Sequence, residues 1–171
     1  MNRRLFLLTG GAAAVTLAAQ KGFAMGWFGG SDSGKDFPYQ LSDREWRERL
    51  SDQAYYVLRE HGTERAGTSP LNNEHREGVF HCAGCGHPLF SSAAKYESGT
   101  GWPSFWEPLN ETAVGTSTDY KLIYPRTEVH CANCGGHLGH VFEDGPQPTG
   151  LRYCMNGVAM EFRPKQGASR E

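Results

Sequence analysis

Five cysteines carry the most chemistry in this sequence, and their spacing divides them. Cys82-x-x-Cys85-Gly86 and Cys131-x-x-Cys134-Gly135 are matched pairs, while Cys154 stands alone between Arg152 and Asn156. A Cys-x-x-Cys-Gly unit makes a tight turn on which two thiolates converge, and two such turns supply the four tetrahedral ligands of a structural zinc. The 45 residues between Cys85 and Cys131 exceed ordinary zinc-finger spacing, so the metal is expected to clamp distant parts of one domain. Two disulfides, or a redox-active pair, are the competing readings of the same four thiols. A redox Cys-x-x-Cys normally opens a helix in a βαβ setting, which is absent here, so zinc is preferred. His81, His87 and His130 flank the knuckles and are read as strand or turn residues, since four thiolates already complete the site.

A closed four-thiolate site leaves no position for water or substrate, so catalysis must come from elsewhere. Cys154 is the candidate nucleophile, weighed against the plain alternative of a small buried hydrophobe. If residues 151–156 are extended, Arg152, Cys154 and Asn156 share one face. A nearby cation favours the thiolate, and the amide can donate or accept a hydrogen bond. Fourteen residues upstream of Cys154, His140 is a candidate for general acid work near neutral pH, with His137 just before it. Three apart on a flat strand, the two histidines would point to opposite faces, so both reach one site only if Gly139 permits a bend or bulge. Trp102, Phe105 and Trp106 lie in a segment stiffened by Pro103 and Pro108. They are candidates for a methyl-binding pocket, although core packing is the commoner use of Trp.

The elements that must hold these residues are short. The chain has 171 residues, 38% hydrophobic and 12% aromatic, enough for one domain with its own core. Its 22 Gly and 9 Pro favour a turn-rich, mainly β fold over a helical bundle. Ser42 followed by Glu45 fits a capping box, with Leu41 and Trp46 as a hydrophobic staple, and predicts a helix from about Asp43. A second helix is predicted from about Asp52 to Glu60, stopping at Gly62. From Gly78 onward, apolar runs at 78–82, 121–125, 140–144 and 151–162 read as antiparallel strands. In the last of them Val158, Met160 and Phe162 alternate with Ala159, Glu161 and Arg163, as on a strand with one buried face.

Residues 1–24 read as an export leader, with a basic start, an apolar stretch from Leu5 to Ala19, and small residues at a plausible cleavage point. Arg3-Arg4 followed by Leu5-Phe6-Leu7 resembles the twin-arginine signal of bacteria, with an ordinary secretory signal or an uncleaved anchor as the alternative. Residues 25–38 read as a flexible tether, 39–165 as the domain, and 166–171 as a tail. Three of the 17 basic residues and none of the 19 acidic ones fall in the leader, leaving a formal charge of −5 on the remainder. That balance gives no sign of a nucleic acid or anionic lipid partner.

Residues 99–105, residues 134–156 and the two knuckles together resemble the methionine-R-sulfoxide reductases of the B type, and residues 60–67 and 78–92 match the N-terminal part of that pattern. The similarity spans about residues 41–162. The resemblance implies two antiparallel sheets, one structural zinc held by Cys82, Cys85, Cys131 and Cys134, and Cys154 as the nucleophile. It implies Trp102 as the seat of the substrate's ε-methyl group, and Phe105 of the same aromatic loop is read as substrate-binding beside it. His137 and His140 would hydrogen-bond the sulfoxide oxygen, Asn156 would orient them, and Arg152 would assist the thiol. The chemistry suits these residue types, because a sulfoxide sulfur is a poor electrophile until its oxygen is protonated or hydrogen-bonded. Attack by Cys154 would leave a sulfenic acid.

Many relatives carry a resolving cysteine where this chain has Thr100. With four thiols given to metal, an external thiol, from a thioredoxin-like protein or a small molecule, is expected to reduce the sulfenic acid. The expected substrates are methionine-sulfoxide-containing proteins or peptides of the bacterial periplasm or cell envelope, and the expected state is a monomer. Two other readings stand beside this one: a zinc-stabilised binding module whose Cys154 is structural, and a thiol-disulfide oxidoreductase working through a Cys-x-x-Cys pair.

Overall fold

The structure is a computed structural model that describes residues 37–120 and 124–165. The leader, nearly all of the tether and the tail read from the sequence lie outside those residues. Among the described residues, no helix is long and apolar enough to cross a membrane.

Helix α1, Asp43–Arg49, starts where the capping box predicts. Ser42 Oγ accepts from the Glu45 amide at 3.3 Å, and the Glu45 carboxylate accepts from the Ser42 amide at 2.8 Å. Together they satisfy two of the donors a helix start leaves orphaned. Helix α2, Asp52–Glu60, is capped by Ser51 and buries Ala54, Tyr55, Val57 and Leu58 on one face. It stops at His61, in the left-handed region at φ 55°, one residue before the glycine the sequence suggests. A side chain on Gly62 would instead run into the ring of Tyr56.

Two antiparallel sheets follow. The smaller has the order β2-β1-β9, from Pro88–Ser91, Gly78–Cys82 and Met160–Pro164. The larger has the order β3-β4-β8-β7-β6-β5, from Lys95–Tyr96, Ser104–Phe105, Arg152–Met155, His137–Phe142, Arg126–Cys131 and Val114–Asp119. Between them and α2 lies a core in which Phe80, Phe90, Leu89, Leu138, Met155 and Val129 are fully buried. Cys82 ends β1 and Cys131 ends β6, so the cysteine knuckles tie one sheet to the other.

Three details depart from the sequence reading, and a fourth run, 121–125, lies for the most part outside the described residues. Phe105 lines no pocket: it is fully buried, stacked on Phe90 at 4.4 Å and edge-on to Phe80 at 5.0 Å. It neighbours Ser104 on β4, so the pleat sends it to the opposite face. The run at 151–162 is not one strand, because β8 belongs to the larger sheet and β9 to the smaller, with a 3-10 turn at Gly157–Ala159 between them. The buried Glu64 carboxylate makes the crossing by accepting from the amides of Gly157 and Val158 at 2.5 and 3.1 Å. The run at 121–125 is bracketed by β5 and β6, and its residues 121–123 lie outside the described residues. Phe37, counted with the tether, packs edge-on against His130 at 5.7 Å and over Gly135.

The larger sheet carries one irregularity that matters. Along β6 and β7, Glu128 opposes His140, Val129 opposes Gly139, and His130 opposes His137. Leu138 is therefore an extra residue with no partner, a β-bulge. Glu128 and His130 are two apart and share a face, so their partners His140 and His137 share it as well. Gly139 is needed because a Cβ there would fall on the Cys154 carbonyl of β8. Gly139→Ala is expected to cost about 1–3 kcal/mol by forcing β7 and β8 apart, read as a lower urea midpoint with an unchanged slope.

Candidate active site and metal centre

A single row of opposed residues crosses the larger sheet: Tyr96, Ser104, Cys154, His140, Glu128 and Ser117. Directly opposed residues project to the same side, so Cys154 has a hydroxyl on one flank and an imidazole on the other. Cys154 is partly exposed, and no disulfide engages it. The bulge adds His137 to this face, its ring 5.4 Å from that of His140.

Carboxylates stand behind both histidines. His137 Nδ1 donates to Glu128 Oε1 at 2.7 Å, and Glu128 also receives His61 Nδ1 at 2.9 Å and the Ser117 hydroxyl at 2.5 Å. Burial alone would raise the Glu128 carboxyl, but hydrogen bonds from His137, His61 and Ser117 prevail and hold it far below the usual carboxylate range. His137 is buried, and its other nitrogen, Nε2, has no partner among the described residues. An unsatisfied buried nitrogen is costly and marks a place for a ligand atom. His140 Nε2 donates to Asp119 Oδ2 at 2.7 Å, and the same oxygen accepts from Arg126 at 2.6 Å. Burial lowers the His140 imidazole below the ordinary histidine value, Arg126 adds to this, and Asp119 offsets it only in part.

The remaining predicted residues are placed unequally. Asn156 is buried, and its side chain accepts from the Glu64 amide at 2.9 Å and donates to the Leu138 carbonyl at 2.9 Å. Since the Asn156 amide also donates to that carbonyl at 2.8 Å, Asn156 pins the bulge between the two histidines. Trp102 Nε1 donates to the Glu64 carbonyl at 3.1 Å, which holds the indole beside this assembly. Arg152 shares the strand and face of Cys154, but its guanidinium grips Asp144 through two bonds of 2.8 and 2.7 Å and stacks on Phe142 at 4.4 Å. The cation that the sequence places beside the thiol is therefore held in an ion pair with Asp144.

The four knuckle cysteines converge. Cys82 Sγ lies 3.7 Å from Cys134 Sγ, Cys85 Sγ lies 3.6 Å from Cys131 Sγ, and all four sulfurs lie within 4.8 Å of one another. A disulfide would need about 2.05 Å, whereas zinc bonds of about 2.3 Å in a tetrahedron set sulfurs about 3.8 Å apart. The cluster thus has the donors, spacing and burial of a structural zinc site. His81 and His130 lie in β1 and β6 and His87 in the turn before β2, outside the cluster.

Sequence reasoning missed Glu128, Asp119 and Glu64. The first two are acids on short polar strands, and only the sheet register shows that they face histidines. Glu64 sits in the stretch 60–67 that carries part of the resemblance, but nothing in its spacing announces a buried cap.

Residues 50–164 match the model of the SelR domain. The chain is 54% identical over 123 residues to a peptide methionine sulfoxide reductase MsrB of Agrobacterium fabrum, covering 72% of this chain and 91% of that protein. It is 55% identical over 124 residues to the MsrB of Thiobacillus denitrificans, covering 72% and 94%. A chloroplastic peptide methionine sulfoxide reductase B1 of rice, Oryza sativa, is 47% identical over 132 residues, covering 77% of this chain and 61% of that protein. The fold, the four-cysteine cluster, the row through Cys154 and these similarities lead to one conclusion: the chain belongs to the SelR-domain family of peptide methionine sulfoxide reductases, the MsrB enzymes.

Proposed function

We propose that this protein reduces the R epimer of methionine sulfoxide, in peptides or proteins, through the Cys154 thiolate. The observation that carries the reading is the pairing of Cys154 with His140 across β7 and β8, with the bulge bringing the unpartnered Nε2 of His137 to the same face. The thiolate attacks the sulfoxide sulfur while the histidine pair receives the oxygen, and His140 in its protonated form delivers the proton. The attack forms a sulfur–sulfur bond, and protonation turns the substrate oxygen into a hydroxyl. Collapse of the adduct passes that hydroxyl to Cys154 Sγ while the sulfur–sulfur bond and the bond between the substrate sulfur and its oxygen both break, which releases methionine and leaves Cys154 as a sulfenic acid. Trp102 seats the methyl group. With the methyl fixed there and the oxygen turned to the histidines, only one epimer presents its sulfur to Cys154.

No second thiol stands at Thr100. An external thiol therefore attacks the sulfenic acid and releases water to give a mixed disulfide, and a second thiol frees Cys154. A zinc ion held by Cys82, Cys85, Cys131 and Cys134 supplies a cross-link between the two sheets and no chemistry at the substrate. The leader-like residues 1–24 support export to the bacterial periplasm or envelope as a twin-arginine cargo, a route whose cargo crosses folded and could carry its metal with it. The formal charge of −5 on residues 25–171 gives no support to nucleic acid or anionic lipid as a partner.

Three outcomes test this reading. Mass spectrometry after one turnover without reductant should find one added oxygen on Cys154; an internal disulfide there would contradict the proposed resolution by external thiol. Because burial keeps the His140 proton weakly held, the acid-dependent limb of kcat/KM should fall as pH rises through a value below the ordinary histidine range. The His140→Asn variant should lose that limb and about 10²-fold or more in rate. Native mass spectrometry should find one zinc per chain, and Cys85→Ser should lower the thermal midpoint by about 10 °C or more.

A further inference from the structure

The side of Cys154 away from the histidines holds three hydroxyls in series. Thr100 Oγ1 lies 3.7 Å from Cys154 Sγ, Ser98 Oγ lies 2.8 Å from Thr100 Oγ1, and Ser104 Oγ lies 2.7 Å from Ser98 Oγ. The series ends on the Trp102 carbonyl, 3.1 Å from Ser104 Oγ. Its place is fixed by backbone. Ser104 is buried in the row beside Cys154, and the loop is held by Gly101, whose carbonyl accepts from the Gly67 amide at 2.7 Å and from Asn72 at 3.0 Å.

Counting protons gives the series a direction. A carbonyl can only accept, so Ser104 donates its one proton to Trp102; Ser98 must then donate to Ser104, and Thr100 to Ser98. Four links are thus made with the thiol's own proton as the fourth, and Thr100 faces the neutral Cys154 as an acceptor. When Cys154 loses its proton, three hydroxyl protons remain for four links, and the link to a sulfur anion is the most valuable of them. The hydroxyls rotate, Thr100 donates to sulfur, and the bond to the Trp102 carbonyl is the one left unmade.

We propose that Thr100 is a catalytic hydrogen-bond donor that stabilises the Cys154 thiolate, with Ser98 and Ser104 as positioning residues whose hydroxyl rotors reverse on ionisation. The inference rests on Cys154 being the nucleophile proposed above. It gives Thr100 a role of its own at the place where relatives carry a second thiol.

The test is the rate at which iodoacetamide alkylates Cys154 in the zinc-loaded protein, followed by mass spectrometry at pH 7 and pH 10. Thr100→Val keeps the branched shape and removes the donor. It should slow alkylation about five-fold at pH 7 and leave it unchanged at pH 10, above the ordinary range of a free thiol. Thr100→Ser should match the wild type at both. A Thr100→Val rate equal to wild type at pH 7, or slowed by the same factor at pH 10, would overturn the proposal. Alkylation needs no sulfoxide, so that failure leaves the reductase reading standing, whereas full turnover by Cys154→Ser would remove that reading whatever the alkylation rates.

Discussion

An extra residue in β7, Leu138, turns His137 onto the face that already carries His140 and Cys154. The Leu138 carbonyl is in turn held by both nitrogens of Asn156. The bulge depends on Gly139, whose missing side chain lets β7 lie against the Cys154 carbonyl. The second knuckle leads directly into it, since Cys134 lies only three residues before His137. The four-cysteine cluster, a bulge and one asparagine thus bear on the relation between two imidazoles and a sulfur. Preorganisation of this kind lets short strands on a small domain position a reaction.

Around Cys154 the sheet presents two chemically distinct sides. Toward β7 and β6 stand imidazoles backed by carboxylates, Glu128 behind His137 and Asp119 behind His140. These groups can hold a proton and pass it to an oxygen. Toward β4 stand hydroxyls that ionise at no ordinary pH but reorient without cost in charge. A thiolate attacking a sulfoxide is served by both: an acid for the sulfoxide oxygen, and a neutral donor for its own charge before attack. Glu64 joins the parts from behind, because its carbonyl holds Trp102, its amide holds Asn156, and its carboxylate caps the turn after β8.

Much of this was legible in the sequence, and the parts that were not share a physical reason. The Ser42–Glu45 capping box predicts α1 because capping is a local interaction. The knuckles predict the cysteine cluster because a tight turn fixes the geometry of each pair. The histidine pair was conditional on a bulge at Gly139, and the register supplies one. Phe105 was misread because composition marks it as aromatic without saying which face of β4 it takes. The Asp144 partner of Arg152 is not legible in the sequence, because it lies eight residues away and reaches the guanidinium only through the loop after β7. Glu128, Asp119 and Ser98 became meaningful only through cross-strand pairing or loop closure, which depend on contacts distant in sequence. His61 caps α2 in a conformation that glycine adopts more readily, and its imidazole lies on Glu128.

If Cys154 attacks a sulfoxide whose oxygen is turned to His137 and His140 and whose methyl is turned to Trp102, the two epimers must react differently. Turnover of separately prepared R and S epimers of peptide methionine sulfoxide with a dithiol reductant tests this. The R epimer alone should be consumed, and neither by Cys154→Ser. Equal consumption of both epimers, or undiminished turnover by that variant, would contradict it.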